Sequence, residues 1–261
     1  MTSFDIRPGP ACRPASRRSP VLVVNAPVSD ELARQCDVLG LTLTNPSVFG
    51  QGKRSPTAAL LAGQGDGDLI RTGLSEPFCG FVELGDEGIQ GVGLRCLDTV
   101  RSGGLVLSLS TATAYGVDTM GLVSEAMRQN FHVRSELDTQ LIEICLAEAI
   151  SNAVIHGNLQ IDGRLRATAE GFESFRQTMQ QRLADPVMSR RRVEICLVPL
   201  GTGMLTIAVS DQGGGFDLAK KLTQSPAANA KSGRGLNLIR KAARSVVAED
   251  CGRTLVMTFA H

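Results

Sequence analysis

Glu148, Asn152 and His156 stand four residues apart inside EAISNAVIHG, residues 148–157. On a helix, positions i, i+4 and i+8 line one stripe. Ile142, Leu146, Ile150 and Ala153 make an apolar face beside it, widened by Ile144 and Cys145. A carboxylate pressed into apolar surroundings without a partner costs several kcal/mol. Something polar must therefore stand before the stripe. It is either solvent on a surface helix or a built polar site. Two further clusters follow. VSDQGGGFD ends a strand in Asp211 and runs on through Gly213, Gly214 and Gly215. An Asp-capped glycine turn has the same composition. SGRGLNLI places Gly233 and Gly235 where a helix opens, as a flexible loop entering a helix also would.

Other chemistries lack their residues. There is no G-x-x-x-x-G-K-[ST] phosphate loop, and GQGDG and GIQGVG miss the dinucleotide spacing G-x-G-x-x-G. Three His without ligand spacing leave no zinc site. The seven Cys are scattered, odd in number and without a C-x-x-C pair, which fits reduced thiols in a cytoplasm. A net charge of +1 gives no case for nucleic acid or an anionic membrane. No run approaches the roughly 18 apolar residues of a membrane span. Hydrophobic residues make up 43% of the chain and aromatics 4%, so a sizeable core is packed mainly by aliphatic side chains.

The elements that must carry these clusters read as follows. Residues 1–19, Pro- and Arg-rich without an apolar run, form a flexible tail and not a signal peptide. VLVVNAP is a strand, and SDELARQCDVLG a helix opened by Ser29 and closed by Gly40. From 40 to 104 the chain is Gly-rich, with strands and helices alternating without sharp boundaries, and RSGG at 101–104 reads as a linker. LVLSLSTA alternates like a half-buried strand, and DTMGLVSEAMRQN is a helix. Ser135 with Asp138 opens the next helix, which runs through His156 to a stop at Gly157. Residues 168–184 are amphipathic, with Phe172, Phe175, Met179 and Leu183 on one face. VEICLVP and MLTIAVSD form a hairpin, GLNLIRKAARSV a helix, and VVAED and TLVMTF a second hairpin around CGR. This order predicts a helical layer on one mixed sheet.

E-x-x-x-N-A-x-x-H-G on a helix, D-x-G-x-G-F after a strand and G-R-G-L at a helix start, in that order, resemble the Bergerat-fold (GHKL-type, histidine-kinase-like) ATP-binding module. Within it the likeness is to the anti-sigma-factor serine kinases of bacterial partner-switching systems. The resemblance covers residues 105–261. It implies an α/β, two-layer α+β fold with a mixed, mostly antiparallel sheet covered by helices. ATP would lie between sheet, helix and a lid. Asn152 would hold Mg²⁺ through its side-chain oxygen, and Glu148 would be the general base. Asp211 would accept the exocyclic amino proton of adenine, where guanine presents an acceptor instead. Gly213 and Gly215 would let the backbone approach base and ribose, while Gly233, Arg234 and Gly235 would meet phosphate. LAKKLTQSPAANAK would be the lid, with Lys220, Lys221 and Lys231 as solvated lid charges rather than phosphate ligands, and His156 would pack or support the site from behind, not serve as a phosphoacceptor.

Residues 160–192 depart from the family as an insertion. His132 lacks the acidic neighbour common after a histidine-kinase phosphoacceptor, and no paired dimerisation helices are present, which argues against a complete histidine kinase. The implied function is a protein serine/threonine kinase and anti-sigma factor in the cytoplasm. Its partners would be an anti-sigma-factor antagonist and a sigma factor, with room for a homodimer. A non-catalytic ATP sensor and the catalytic half of a split phosphorelay are the alternatives. Residues 20–100 are expected as a small α/β regulatory domain. Its first strand resembles the start of a receiver, but Asn25 and Ala26 stand where receivers carry acidic residues.

Overall fold

The computed structural model describes residues 20–47, 49, 58–131, 135–163, 165, 169–201, 203–223 and 235–260. Val21–Val24 (β1) leads through helix α1, Asp30–Leu39, to Thr42–Thr44 (β2). Ser29 caps α1 by accepting the Leu32 N–H at 3.2 Å, and Gly40 leaves it at φ +66°, as the sequence predicts. Ala59–Gly63 (β3), α2 (Gly67–Gly73), Gly80–Glu83 (β4), α3 (Leu94–Arg101) and Leu105–Ser110 (β5) follow. Helices α4 (Thr111–Gly116), α5 (Thr119–Asn130), α6 (Glu136–Ser151), α7 (Ala169–Ala184) and α8 (Pro186–Ser189) come next. The chain closes with Arg192–Leu200 (β6), Met204–Ser210 (β7), α9 (Leu218–Thr223), α10 (Gly235–Ala242), Ser245–Glu249 (β8) and Thr254–Ala260 (β9).

The strands form one nine-stranded mixed sheet in the order β2-β1-β3-β4-β5-β6-β7-β9-β8. From β2 to β5 every pairing is parallel, in the doubly wound order 2-1-3-4-5. From β5 to β8 every pairing is antiparallel. β5 belongs to both halves, pairing β4 through Val106 opposite Gly80 and β6 through Val106 opposite Cys196.

Helices cover the two faces unequally. Apolar residues of α2, α5, α6 and α10 pack in one core over β3 to β9, through Leu61, Phe81, Leu107, Ile195, Ile207 and Met257. The opposite core, built by Leu32 and Cys36 of α1 and Cys96, Leu97 and Val100 of α3, lies mainly under the parallel strands. Those strands therefore read as apolar runs such as ALLAG. β5 is buried on both faces, not half-buried as its alternation predicts: Leu105, Leu107 and Leu109 enter one core, Val106 the other. Ser108, fully buried, donates to Glu194 Oε1 at 3.1 Å. Ser108 of LVLSLS thus reports a buried polar cluster and not solvent.

RSGG at 101–104 is a tight turn, with Gly103 at φ +77° and the Gly104 N–H donating to Thr99 O at 2.9 Å. On α7, Phe175 and Met179 are buried, whereas Phe172 is 58% exposed. Among the described residues, no helix is long and apolar enough to cross a membrane.

Candidate functional site

Ser135 opens α6 as its sequence predicts, accepting the Asp138 N–H at 3.0 Å. Arg128 ties the helix to α5 through Glu136 at 3.0 Å and Glu143 at 2.8 Å. Ile142, Cys145, Leu146, Ala149 and Ile150 bury one face in the core. The α-helix ends at Ser151, and Asn152–Asn158 wind on as a π-helical turn. The Leu159 N–H accordingly bonds Val154 O, five residues back, at 2.9 Å. Single π turns inside helices recur at functional sites.

This change of pitch breaks the predicted stripe after Asn152. Glu148 and Asn152 remain one turn apart, both half-buried. His156 turns outward and its Nδ1 lies 2.6 Å from Ile161 O. Glu148 faces the start of α10: a Cβ on Gly235 would collide with its Oε2. A carboxylate at a helix N-terminus is favoured by the helix dipole. Among the described residues, neither the Glu148 carboxylate nor the Asn152 amide has a hydrogen-bond or ion-pair partner.

Asp211 follows β7, its N–H donating to Arg253 O at 2.9 Å. Its Oδ1 accepts the Gly213 N–H at 2.8 Å. Burial pushes the carboxyl up to about 6, against the pull of that amide and of the Arg253 and Arg191 charges. Gly157 does not stop the helix in a left-handed conformation. It is the floor beneath Asp211, since a Cβ there would come within 2.6 Å of both carboxylate oxygens. Gly213 in turn sits on the Gly157 carbonyl, and Gly215, at φ +72°, on the Cys251 carbonyl. The turn that carries Asn152 is therefore packed directly against the loop that carries Asp211.

Asn158, fully buried, joins the two and went unread in the sequence. Its Nδ2 donates to Thr111 Oγ1 at 2.8 Å and to Arg192 O at 2.9 Å, and its Oδ1 accepts the Gln212 N–H at 2.7 Å. Its one local signal is an amide directly after His-Gly. Gly233, Arg234, Lys231 and the lid beyond α9 lie outside the described residues. Lys220 and Lys221 are exposed on α9, where the Lys220 N–H bonds Asp217 Oδ1 at 3.0 Å.

Gly157→Ala forces Asp211 or the π turn to move, at a cost of about 1–3 kcal/mol. Thermal unfolding and nucleotide titration should both register it. Unchanged nucleotide affinity would show that the Gly157–Asp211 contact is no part of the site.

The model of the family described as histidine kinase-like ATPase domain matches residues 111–259, more than half of the chain. This chain belongs to that family, and its ATPase domain is an ATP-binding module of the Bergerat type. A search of curated proteins finds no match. The residues present fit a nucleotide in kind. Glycines at 157, 213 and 215 clear a close-packed floor around the half-buried Asp211 carboxylate, and a half-buried side-chain amide stands at Asn152. Among the described residues, no cluster of three His, Cys, Asp or Glu side chains is placed to hold a metal.

Proposed function

We propose that the chain is an ATP-dependent serine/threonine protein kinase and anti-sigma factor, acting on an anti-sigma-factor antagonist, with a sigma factor as alternate partner. The observation that carries this reading is the placement of Glu148. Its carboxylate stands half-buried at the start of α10, one turn before Asn152. A module that only senses ATP has no use for a base there.

In the proposed reaction Glu148 accepts the proton of a partner's serine or threonine hydroxyl. The hydroxyl oxygen bonds to the γ-phosphorus as the bond to the β–γ bridging oxygen breaks and ADP leaves. Asp211 orients adenine by accepting its amino proton, and Gly233, Arg234 and Gly235 steady the phosphates. Asn152 would supply one oxygen to Mg²⁺, whose charge offsets that on the phosphates.

The test is direct. Purified protein is incubated with γ-labelled ATP, Mg²⁺ and candidate antagonist proteins, and the labelled product is treated with acid. Acid-stable label on the partner is expected, since phosphoserine and phosphothreonine survive where phosphohistidine does not. Acid-labile label would point to a phosphorelay, and no label to a sensor. The metal role has its own measurement. Asn152→Ala should remove the Mg²⁺-dependent part of ATP affinity without unfolding the protein, read by calorimetry with and without Mg²⁺. A mutant that keeps the wild-type metal dependence makes Asn152 a helix residue only.

A further inference from the structure

The residue after Asp211 is clamped from three sides. Gln212 Nε2 donates to Gly91 O at 3.0 Å, and its Oε1 accepts the Arg192 N–H at 2.9 Å. Its backbone N–H donates to Asn158 Oδ1 at 2.7 Å. Gly91 lies at φ +79°, where a side chain is strained, and a Cβ there would meet the Gln212 side-chain amide nitrogen at 2.8 Å. Gly91 belongs to the loop between β4 and α3, in the parallel half of the sheet, outside the span matched by the ATPase family. The same loop is fixed at two more points. Arg192 Nε donates to Gln90 O at 2.7 Å, and the Gly93 N–H donates to Glu194 Oε1 at 2.9 Å.

The stakes differ between these bonds. Those of Arg192, Glu194 and Asn158 involve buried side chains, where an unpaired group costs the whole desolvation penalty. They hold loop and sheet together whatever is bound. Gln212 is itself exposed, and its replacement takes the acceptor from the Arg192 N–H and the donor from the Gly91 carbonyl. It is flanked by Asp211 and by Gly213, whose N–H holds the Asp211 carboxylate. Its side chain thus ties the loop that carries Asp211 to β6 and to the β4–α3 loop.

We propose that Gln212 is a positioning residue for adenine recognition. It ties the Asp211 loop to the β4–α3 loop and makes the geometry of that loop a determinant of ATP affinity. The proposal rests on Asp211 being the adenine acceptor. Whatever moves residues 84–93 then alters ATP binding, and ATP in turn steadies residues 84–93, because coupling between two sites is reciprocal.

The test uses the full chain, two nucleotides and three variants. ATP is compared with purine riboside triphosphate, which keeps ribose and phosphates but lacks the 6-amino group. Gln212→Leu, which can neither donate nor accept, should weaken ATP roughly 3- to 10-fold, the size of one or two lost hydrogen bonds, and leave the analogue unchanged. Gln212→Glu keeps the acceptor for Arg192 but not the donor to Gly91, and should fall between. Hydrogen exchange supplies the second reading. ATP should slow amide exchange across residues 84–93 in the wild type and not in Gln212→Leu, an effect that a merely structural side chain would not produce. Equal weakening of both nucleotides, or no change in either, overturns the proposal. Asp211→Asn separates the two levels. If it weakens ATP while Gln212→Leu does not, only the role of Gln212 fails. If it leaves ATP binding intact, the adenine assignment fails and takes this role with it.

Discussion

Glu148→Gln is expected to slow phosphotransfer to the protein partner by about 10²–10⁴, the usual size of general-base catalysis, while ATP affinity stays nearly unchanged. The substitution keeps shape and the ability to accept hydrogen bonds. Only basicity and charge are lost. The fold should tolerate it, because no described residue depends on the carboxylate for an ion pair. Removing one negative group near the phosphates even permits slightly tighter nucleotide binding. Turnover and ATP affinity are measured on the same preparation. Equal turnover in wild type and mutant would defeat the assignment of Glu148. No turnover in the wild type, with its true partner present, would favour a sensor.

The second large effect is at Asp211, where stability and function should move in opposite directions. Asp211→Asn is expected to weaken ATP by about 1.5–3 kcal/mol, roughly 10- to 100-fold, because a charge-assisted hydrogen bond to adenine is lost. Selectivity over GTP should shrink with it. The free protein should instead become more stable at neutral pH. The folded-state value of about 6 lies above the ordinary 3.8, so the folded chain holds this proton more tightly than the unfolded chain. Stability from this group is therefore greatest at low pH and is lost as pH rises through about 4 to 6. At neutral pH the protein bears the full cost of an ionised, half-buried carboxylate. Asn removes it, for a gain of about 1–2 kcal/mol after allowing for solvent screening. In the wild type, ATP affinity should fall as pH drops below about 6, where the acceptor becomes protonated. Calorimetric titrations of ATP and GTP across pH, with unfolding measured alongside, check all three. A mutant that is no more stable, and binds ATP as before, would remove Asp211 from the adenine site.

Much of the local structure is legible in the chain because its causes are local. Ser29 and Ser135 announce helix starts through bonds three residues on, and the two terminal hairpins follow from strand patterns joined by short turns. The order of three weak motifs was enough to place residues 105–261 near a known ATPase family, and the match at 111–259 agrees. Glu148 and Asn152 were readable as a pair because four residues make one helical turn. What the sequence did not disclose was decided by contacts between distant segments. LVLSLS shows the same alternation whether its second face meets water or protein, and only the tertiary fold packs Val106 against α3 and sets Ser108 beside Glu194 and Arg192 of β6. Gly157 looks like a helix stop until Asp211, 54 positions later, is brought over it. Asn158 and Gln212 carry no pattern of their own. Their partners at 91, 111 and 192 become neighbours only because β5 joins a parallel half to an antiparallel one in a single sheet. A capping bond or a helical stripe costs little chain entropy and is written within a few residues. A buried amide with three long-range partners exists only once the sheet has closed around it.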